Sequence, residues 1–290
     1  MRVLISGAGG FIGRHLALAM AHHRHEVVAL VRRSPSALHQ QAGVRIACTD
    51  LAKADALPRE PFDALIHCAA AIPSAVPDEA ELTRVNVGGS RRLFAHALDA
   101  GARVIIFCSS MSVYGRVAVD VVEPDTPINE PNAYGRSKLA AEHMLAEFSR
   151  ITTGLRALSI RLPGVVGPGS HDNFLSETMR CLAAGESVVA RNSDALFNNV
   201  VHVADLAGFV AAALGRLPLG HRVTTIAASD PLPIREVVAI LERAAGRNGA
   251  VRFEPGERSF LISSEDARSL GYRPATTRDS VERFARHHQA

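Results

Sequence analysis

Residues 1–16 read MRVLISGAGGFIGRHL, and this stretch decides the fold. A short apolar run at positions 3–5 is followed by Gly7, Gly10 and Gly13, after which an apolar-periodic helix begins. A strand, a tight glycine turn and a helix in this order present free backbone N–H groups to the negative charge of a diphosphate. The stretch therefore predicts a nucleotide-binding turn at the end of the first strand.

The composition limits the classes of function that the chain can have. Its 290 residues suffice for one α/β core and a smaller lobe, and its net charge of +3 does not indicate a nucleic-acid partner. No apolar run approaches a membrane span, and the first residues lack the layout of a signal peptide. The four cysteines lack metal-ligand spacing and indicate free thiols. We expect a soluble cytoplasmic protein with no metal, nucleic-acid or membrane partner.

Apolar strand-like runs alternate with helical patterns along the first part of the chain. Such alternation predicts an α/β fold, a Rossmann-like doubly wound parallel sheet. The strands after the first are expected at 26–31, 44–47, 63–67, 103–108 and 155–162.

The second predicted strand ends at Arg32 and Arg33. A carboxylate at this position would accept a hydrogen bond from the ribose 2′-hydroxyl of NAD, whereas a guanidinium neutralises the 2′-phosphate of NADP. The pair therefore favours NADP(H), with NAD(H) as the alternative. The alternative interpretation is that both arginines are ordinary solvated residues at the end of a strand.

Hydroxyl groups and a lysine follow in an order that suits proton transfer. Ser109, Ser110 and Ser112 come after the fifth predicted strand, where ligands bind in doubly wound sheets. Tyr134 and Lys138 are four residues apart in a predicted helix and so share one face. A free phenol has a pKa of about 10, and a nearby ammonium group favours its ionised form.

Together these motifs resemble the extended short-chain dehydrogenase/reductases, the family of UDP-galactose 4-epimerase and of nucleotide-sugar dehydratases and reductases. The glycine spacing, the segment from His67 to Ala70, and the serine-rich segment that ends in Val-Tyr-Gly carry the resemblance. The resemblance implies that Ser110, Tyr134 and Lys138 are catalytic, with Asn86 in support. It implies that the cofactor is bound by Gly7, Gly10, Phe11, Ile12, Gly13, Arg32, Arg33, Asp50, Leu51, Ala69, Ala70, Tyr134, Lys138 and Pro163. For Asp50, a turn or helix-capping role is an equal alternative.

The resemblance also implies a Rossmann domain over residues 1–163, rejoined by about 195–226, and a small interrupted substrate lobe over 164–194 and 227–290. The substrate would be bound by Ser109, Ser110, Ser112, His171, Asn173, Asn198 and Arg258. Asn198 stands where the family has a phosphate-binding arginine, and for Arg258 a surface role is the alternative. The family often forms homodimers through two long helices, here at about 79–100 and 134–150, so we expect a homodimer.

The reaction is narrowed by departures from the family pattern. The dehydratases carry an Asp-Glu pair where this chain has Met111 and Ser112, which makes dehydration a poor fit. Reduction of a keto group on a nucleotide-activated 6-deoxy sugar is the leading interpretation, and 4-epimerisation with tightly bound NAD is the second. A reductase of a non-sugar carbonyl compound and a non-catalytic nucleotide sensor are the further alternatives.

Overall fold

The computed structural model describes residues 1–33, 38, 41–53, 56–72, 78–246, 251–256 and 258–287. The chain divides into two compact units. The first unit comprises Met1–Arg116, Pro127–Arg161 and Ala207–Thr224. The second unit comprises Val117–Thr126, Leu162–Leu206 and Thr225–Ala290.

The strands and helices alternate along most of the described chain. The strands are β1 (Arg2–Ser6), β2 (Glu26–Val31), β3 (Val44–Cys48), β4 (Ala64–His67), β5 (Val104–Ser110), β6 (Val121–Val122), β7 (Arg156–Leu162), β8 (Gly164–Val166), β9 (Val188–Arg191), β10 (Leu196–Phe197), β11 (Val200–His202), β12 (Gly220–Thr225), β13 (Leu232–Pro233), β14 (Val251–Glu254) and β15 (Leu261–Ile262). The helices are α1 (Phe11–His22), α2 (Glu79–Thr83), α3 (Gly89–Asp99), α4 (Ala133–Ile151), α5 (Phe174–Ala184), α6 (Val203–Leu214), α7 (Ile234–Ala245), α8 (Glu265–Ser269) and α9 (Thr277–Arg286). A π-helical turn (Arg84–Gly88) joins α2 to α3, and a 3₁₀ turn (Met111–Tyr114) follows β5.

The first unit is built on a seven-stranded sheet in the order β12-β7-β5-β4-β1-β2-β3. Strand β1 pairs in parallel with β2 on one side and with β4 on the other. The direction of strand order therefore reverses at β1, and doubly wound sheets bind ligands at such a reversal, beyond the carboxyl ends of the strands. The predicted fold class is confirmed.

The strands of this sheet are apolar because helices cover them. In β2, which reads EVVALV, every residue after Glu26 is buried, as expected of a parallel strand covered on both faces. One hydrophobic cluster joins Leu4, Leu65 and Phe107 of the strands to α3 and α4. Burial of this kind stabilises a fold by about 25 cal/mol per Å² of apolar surface. The buried sheet therefore fixes where the strand ends lie.

The second unit combines short strand pairs with helices that include α5, α7, α8 and α9. Strands β8 and β11 pair in parallel, as do β9 with β14 and β6 with β15, while β10 and β13 are antiparallel. Its core joins α5, α7 and α9 through residues such as Met179, Val237 and Phe284, each fully buried. Among the described residues, no helix is both long enough and apolar enough to cross a membrane.

We predict opposite effects on stability for two glycine-to-alanine substitutions. Gly13 lies in α1 with its Cα against the carbonyl of Gly7, so a Cβ at position 13 would overlap that oxygen. Gly208 lies in α6 with no atom within 4 Å of a Cβ built there. Gly13→Ala should therefore lower the free energy of unfolding by about 2 kcal/mol, whereas Gly208→Ala should raise it by about 0.5–1 kcal/mol.

Urea denaturation of the two variants and the parent protein measures both effects. Equal stabilities of the G13A variant and the parent would mean that the turn has room for a side chain, contrary to this structure.

Candidate active site

The turn between β1 and α1 is shaped by close backbone contacts. Gly7 has a φ of +70°, and a Cβ there would lie 2.6 Å from the amide nitrogen of Ala69. Gly10 is the N-cap residue of α1, and among the described residues no side chain caps this helix. The first N–H groups of a helix need partners, and a diphosphate oxygen can supply them. The turn therefore fits the dinucleotide that its sequence predicts.

A buried relay of hydrogen bonds links this turn to the end of β4. The hydroxyl of Ser6 lies 2.6 Å from Nδ1 of His67, and it accepts a hydrogen bond from the amide of Ala69 at 3.3 Å. On the other side, Nε2 of His67 lies 2.8 Å from the hydroxyl of Ser90, which itself donates to the carbonyl of Asn86. Because Ser90 donates its hydroxyl proton to that carbonyl, it can only accept a hydrogen bond from His67. The imidazole proton is therefore assigned to Nε2.

His67 is a structural residue rather than a proton carrier. Its side chain is 1% exposed, and burial lowers the pKa of the imidazole to about 3, with the positive charge of Lys138 acting in the same direction. The ring is therefore neutral throughout the physiological range and holds Ser6 and Ser90 in place.

Asn86 clamps two segments that border the site. Its Oδ1 accepts from the amide of Ala71 at 2.7 Å, and its Nδ2 donates to the carbonyl of Ala71 at 3.0 Å. The same amide donates to the hydroxyl of Ser137 at 3.0 Å, and Ser137 in turn donates to the carbonyl of Tyr134 at 2.8 Å. Asn86 lies in the π-helical turn. These contacts make it a positioning residue for the segment after β4 and for the start of α4.

The hydroxyl groups predicted to be catalytic lie at the end of β5 and the start of α4. Ser110 caps the 3₁₀ turn, accepting from the amide of Ser112 at 3.1 Å and donating to its hydroxyl at 3.1 Å. That turn rests on α4, because a Cβ at Gly135 would overlap the carbonyl of Ser112. Ser110, Ser112 and Tyr134 are all half-buried, so each side chain remains partly accessible.

Lys138 brings a buried positive charge to the same strand end. Its side chain is 4% exposed, and Nζ donates to the carbonyl of Cys108 at 2.8 Å. The ammonium lies 4.7 Å from the ring centre of Phe107 and 5.7 Å from that of Tyr134. Contacts with ring faces stabilise a cation that has left water. The charge is thereby fixed beside Tyr134, as the spacing of the two residues predicts.

A second buried network braces the ends of β5 and β7. Glu142 of α4 accepts from the guanidinium of Arg161 at 2.7 Å and from the hydroxyl of Ser109. Arg161 lies 4.7 Å above the ring of Tyr114. Hydrogen bonding to Glu142 raises the pKa of Arg161 against the opposing effect of burial, so the guanidinium stays ionised. Ser109, predicted to bind substrate, is tied into this network.

The residues predicted to bind the adenosine half of the cofactor lie beyond β2 and β3. Arg32 and Arg33 are both exposed directly after β2. The carboxylate of Asp50 accepts a hydrogen bond from the amide of Ala52 at 2.9 Å. This contact is of the kind expected if Asp50 stabilises a turn, the alternative to cofactor binding. Leu51 packs against the hydrophobic cluster of the first unit.

Three of the remaining predicted site residues lie near the start of the second unit. Pro163 is buried between β7 and β8. Nδ1 of His171 lies 2.9 Å from Asp172, and both side chains are exposed. Asn173 caps α5 by accepting from the amide of Ser176 at 3.0 Å. The cap explains the choice of asparagine at this position, and cofactor or substrate binding by these three residues stays a prediction.

Two further predicted substrate residues have partners within the second unit. Asn198 is 5% exposed and exchanges two hydrogen bonds with the backbone of Ile262, at 2.9 and 3.0 Å. Arg258 is exposed and pairs with Asp120, also donating to the carbonyl of Ala118 at 2.9 Å. Asn198 therefore stabilises its own unit. The ion pair of Arg258 is exposed and weak, so its guanidinium stays available to a stronger anion.

Sequence reasoning missed the residues that hold the site together. These residues are buried and polar: Ser90, Ser137, Glu142 and Arg161. The sequence indicated only Ser137 and Glu142, because each lies one helical turn from Tyr134 or Lys138. No group of three or more His, Cys, Asp or Glu side chains within the described ranges could hold a metal ion.

Comparison with known proteins identifies the family. A model described as the NAD dependent epimerase/dehydratase family matches residues 3–224. The chain belongs to this family. The resemblance inferred from the motifs is thus confirmed, and the chain is an enzyme of the oxidoreductase/epimerase type.

The relatives include proteins named for two different activities. The chain is 28% identical over 316 residues to a UDP-glucose 4-epimerase of Azospirillum brasilense, covering 98% of this chain and 90% of that protein. It is 31% identical over 220 residues to a GDP-6-deoxy-D-mannose reductase of Pseudomonas aeruginosa, covering 71% and 64%. A structure of MoeE5 in complex with UDP-glucose and NAD superposes with a TM-score of 0.84 at 26% identity, covering 99% of this chain and 98% of that one.

We predict that His67 makes the stability of the protein depend on pH. Its pKa falls from 6.5 to about 3 on folding, so unfolding takes up one proton between these values. The stability that it contributes is present above the unfolded pKa and is lost as the pH falls, by about 1.4 kcal/mol per pH unit.

The free energy of unfolding is measured by chemical denaturation at about pH 5 and pH 6. It should fall between these pH values in the parent, and in His67→Asn the fall should be smaller by the amount that one proton contributes. His143→Gln is the control, because that side chain is exposed; it should leave the slope unchanged. Equal slopes in H67N and the parent would contradict a buried neutral His67.

Proposed function

We propose that the chain is an NADPH-dependent reductase that acts on the keto group of a nucleotide-activated sugar, with a 4-keto-6-deoxy sugar as the leading substrate. The observation that carries the proposal is the exposed pair of Arg32 and Arg33 directly after β2. NADPH is consumed in a reduction, so a preference for this cofactor indicates a reductase rather than an enzyme that recycles NAD.

The preference follows from charge. In doubly wound sheets the residue after the second strand meets the ribose that carries the 2′ group of the cofactor. Two guanidinium groups there donate charge-assisted hydrogen bonds to a phosphate, whereas they cannot accept the bond that a 2′-hydroxyl offers.

The side chains of the first unit supply the rest of the chemistry. A nicotinamide cofactor held at the glycine turn would supply the hydride that this reduction needs. The hydroxyl of Ser110 donates a hydrogen bond to the carbonyl oxygen, and Tyr134 gives that oxygen its phenolic proton. The ammonium of Lys138, 5.7 Å from the ring of Tyr134, stabilises the phenolate that is left, which then regains a proton from water. Asn86 and Ser137 hold the first turn of α4 in place while the proton moves.

The relatives support a nucleotide sugar as the substrate. The names of the epimerase and the reductase both refer to nucleotide sugars, and MoeE5 binds UDP-glucose together with NAD. Met111 and Ser112 supply no carboxyl group after Ser110 for the removal of water. A reduction of the keto group is therefore favoured over dehydration.

A 4-epimerase is the second candidate, since the epimerase relative matches along nearly the whole chain. An epimerase returns the hydride to the opposite face of the same carbon and consumes no cofactor. Incubation with NADPH and a 4-keto nucleotide sugar separates the two candidates. A reductase forms one oxidised cofactor per product, whereas an epimerase shows no net oxidation.

Replacing Tyr134 with phenylalanine should lower kcat by about 10²–10⁴ and leave dinucleotide affinity almost unchanged, because the variant loses the proton donor alone. Tyr272→Phe is the matched control. It removes a phenol hydroxyl that donates to the carbonyl of Ala227 at 2.9 Å, and should keep its kcat. Unchanged turnover in Y134F, measured by NADPH oxidation, would remove Tyr134 from the mechanism.

Replacing both Arg32 and Arg33 with alanine should weaken NADPH binding about tenfold or more and change NADH binding little. The double variant R150A/R216A removes the same charge from two other exposed positions and controls for the net charge. Dissociation constants for both cofactors, measured by calorimetry, provide the test. Equal losses for NADPH and NADH would defeat the assignment of the cofactor.

A further inference from the structure

Two cysteines meet at the carboxyl ends of neighbouring strands. Strands β4 and β5 are parallel, with His67 opposite Phe107, so the next residues, Cys68 and Cys108, are also opposite each other. Side chains alternate along a strand, which places both thiols on the face opposite His67 and Phe107. Their sulfur atoms lie 3.5 Å apart.

The spacing suits a covalent bridge. Residues opposite each other on neighbouring strands have backbones about 4.8 Å apart, within the range of Cα separations that disulfides span. Cys108 is 4% exposed and Cys68 is half-buried, so the pair lies at the boundary of the core. The mechanism proposed above gives neither thiol a task.

We infer that Cys68 and Cys108 form a peroxide-sensitive modification site that closes to an intramolecular disulfide and thereby inactivates the adjacent dinucleotide site. The oxidant is hydrogen peroxide, and the reaction is reversed by a dithiol. The bridge itself does not depend on the proposed function. Its effect on turnover does rest on that function.

The pair is chemically prepared for this reaction. The hydrogen bond from the Cys68 thiol lowers the pKa of Cys108 against the opposing effect of burial, and the ammonium of Lys138 lowers it further. The thiolate is the form of cysteine that attacks. Cys108 is therefore the nucleophile, and Cys68 is its resolving partner.

The atoms balance over two steps. The Cys108 thiolate attacks one oxygen of the peroxide, the O–O bond breaks, and the other oxygen leaves as hydroxide, which becomes water on taking up a proton. The product is a sulfenic acid at Cys108. The sulfur of Cys68 then attacks the Cys108 sulfur, the S–S bond forms, the S–O bond breaks, and the oxygen leaves with the thiol proton as a second water. Two thiols are oxidised, and one peroxide is reduced.

Closure disturbs the dinucleotide site on two sides. The sulfur atoms must approach from 3.5 Å to about 2.05 Å. Cys68 precedes Ala69, whose backbone packs closely against Gly7 of the glycine turn, so a shift of Cys68 changes this contact. The carbonyl of Cys108 is the acceptor of Lys138, so the lysine moves with the strand end.

The experiment uses the full chain with Cys48 and Cys181 replaced by serine, which leaves Cys68 and Cys108 as the two cysteines. After treatment with one equivalent of peroxide, the expected result is the loss of both free thiols and of two hydrogen atoms in mass. Peptide mapping should join the segments of Cys68 and Cys108, and dithiothreitol should restore the thiols. Two free thiols after treatment, sulfinic acid at either residue, or a bridge between two chains would overturn the proposal.

The consequence for the site is measured on the same samples. The oxidised C48S/C181S protein should bind dinucleotide and turn over substrate about tenfold less well or worse, with recovery on reduction. Adding Cys108→Ser to this background removes the thiolate that peroxide attacks, and activity after peroxide should be the same as before it. A bridged protein with unchanged dinucleotide affinity would overturn the regulatory part of the inference. Dinucleotide binding is measured without substrate. A wrong assignment of the substrate would therefore affect the turnover measurement and leave the binding measurement intact.

Discussion

The structure of the first unit depends on a steric constraint at one place. The backbone of β1, the first turn of α1 and the segment after β4 approach one another so closely that Gly7 and Gly13 have no room for a Cβ. This contact fixes the direction in which α1 leaves the sheet, with the first turn of the helix at the carboxyl edge. The proposed binding of a diphosphate at this turn depends on this close approach of glycine backbone.

The polar groups around this turn fall into a neutral set and a charged set. The neutral set runs from Ser6 through His67 and Ser90 to Asn86, and its members satisfy one another away from water. The charged set comprises the buried Lys138 and the buried pair of Glu142 and Arg161. A buried ion pair adds little net stability but is strongly destabilising when broken. Both sets therefore serve to fix β1, β4, β5 and β7 relative to α4.

Local chemistry explains why much of this site was predictable. The run EVVALV is buried on both faces, so its apolarity identified a parallel strand. The glycine spacing identified the turn, and the four-residue spacing of Tyr134 and Lys138 placed both on one face of α4. Each of these signals is contained in fewer than twenty consecutive residues.

The partners of these residues could not be predicted, because they are distant in the chain. Asn86 bonds to Ser137, 51 residues away, and Arg258 pairs with Asp120, 138 residues away. The π-helical turn that holds Asn86 packs against α4, a contact between segments that are also far apart in the chain. Asn198 illustrates the same limit: the sequence marked it as a missing arginine, whereas the fold uses its amide to bind backbone.

The nucleotide content of the purified protein tests the central claim most directly. The protein is denatured, any released nicotinamide nucleotide is identified and quantified, and the emptied native protein is titrated with NADPH and NADH. A reductase that consumes its cofactor should release little bound nucleotide and should prefer NADPH. Stoichiometric, tightly held NAD would contradict this account and would favour an epimerase that recycles its hydride.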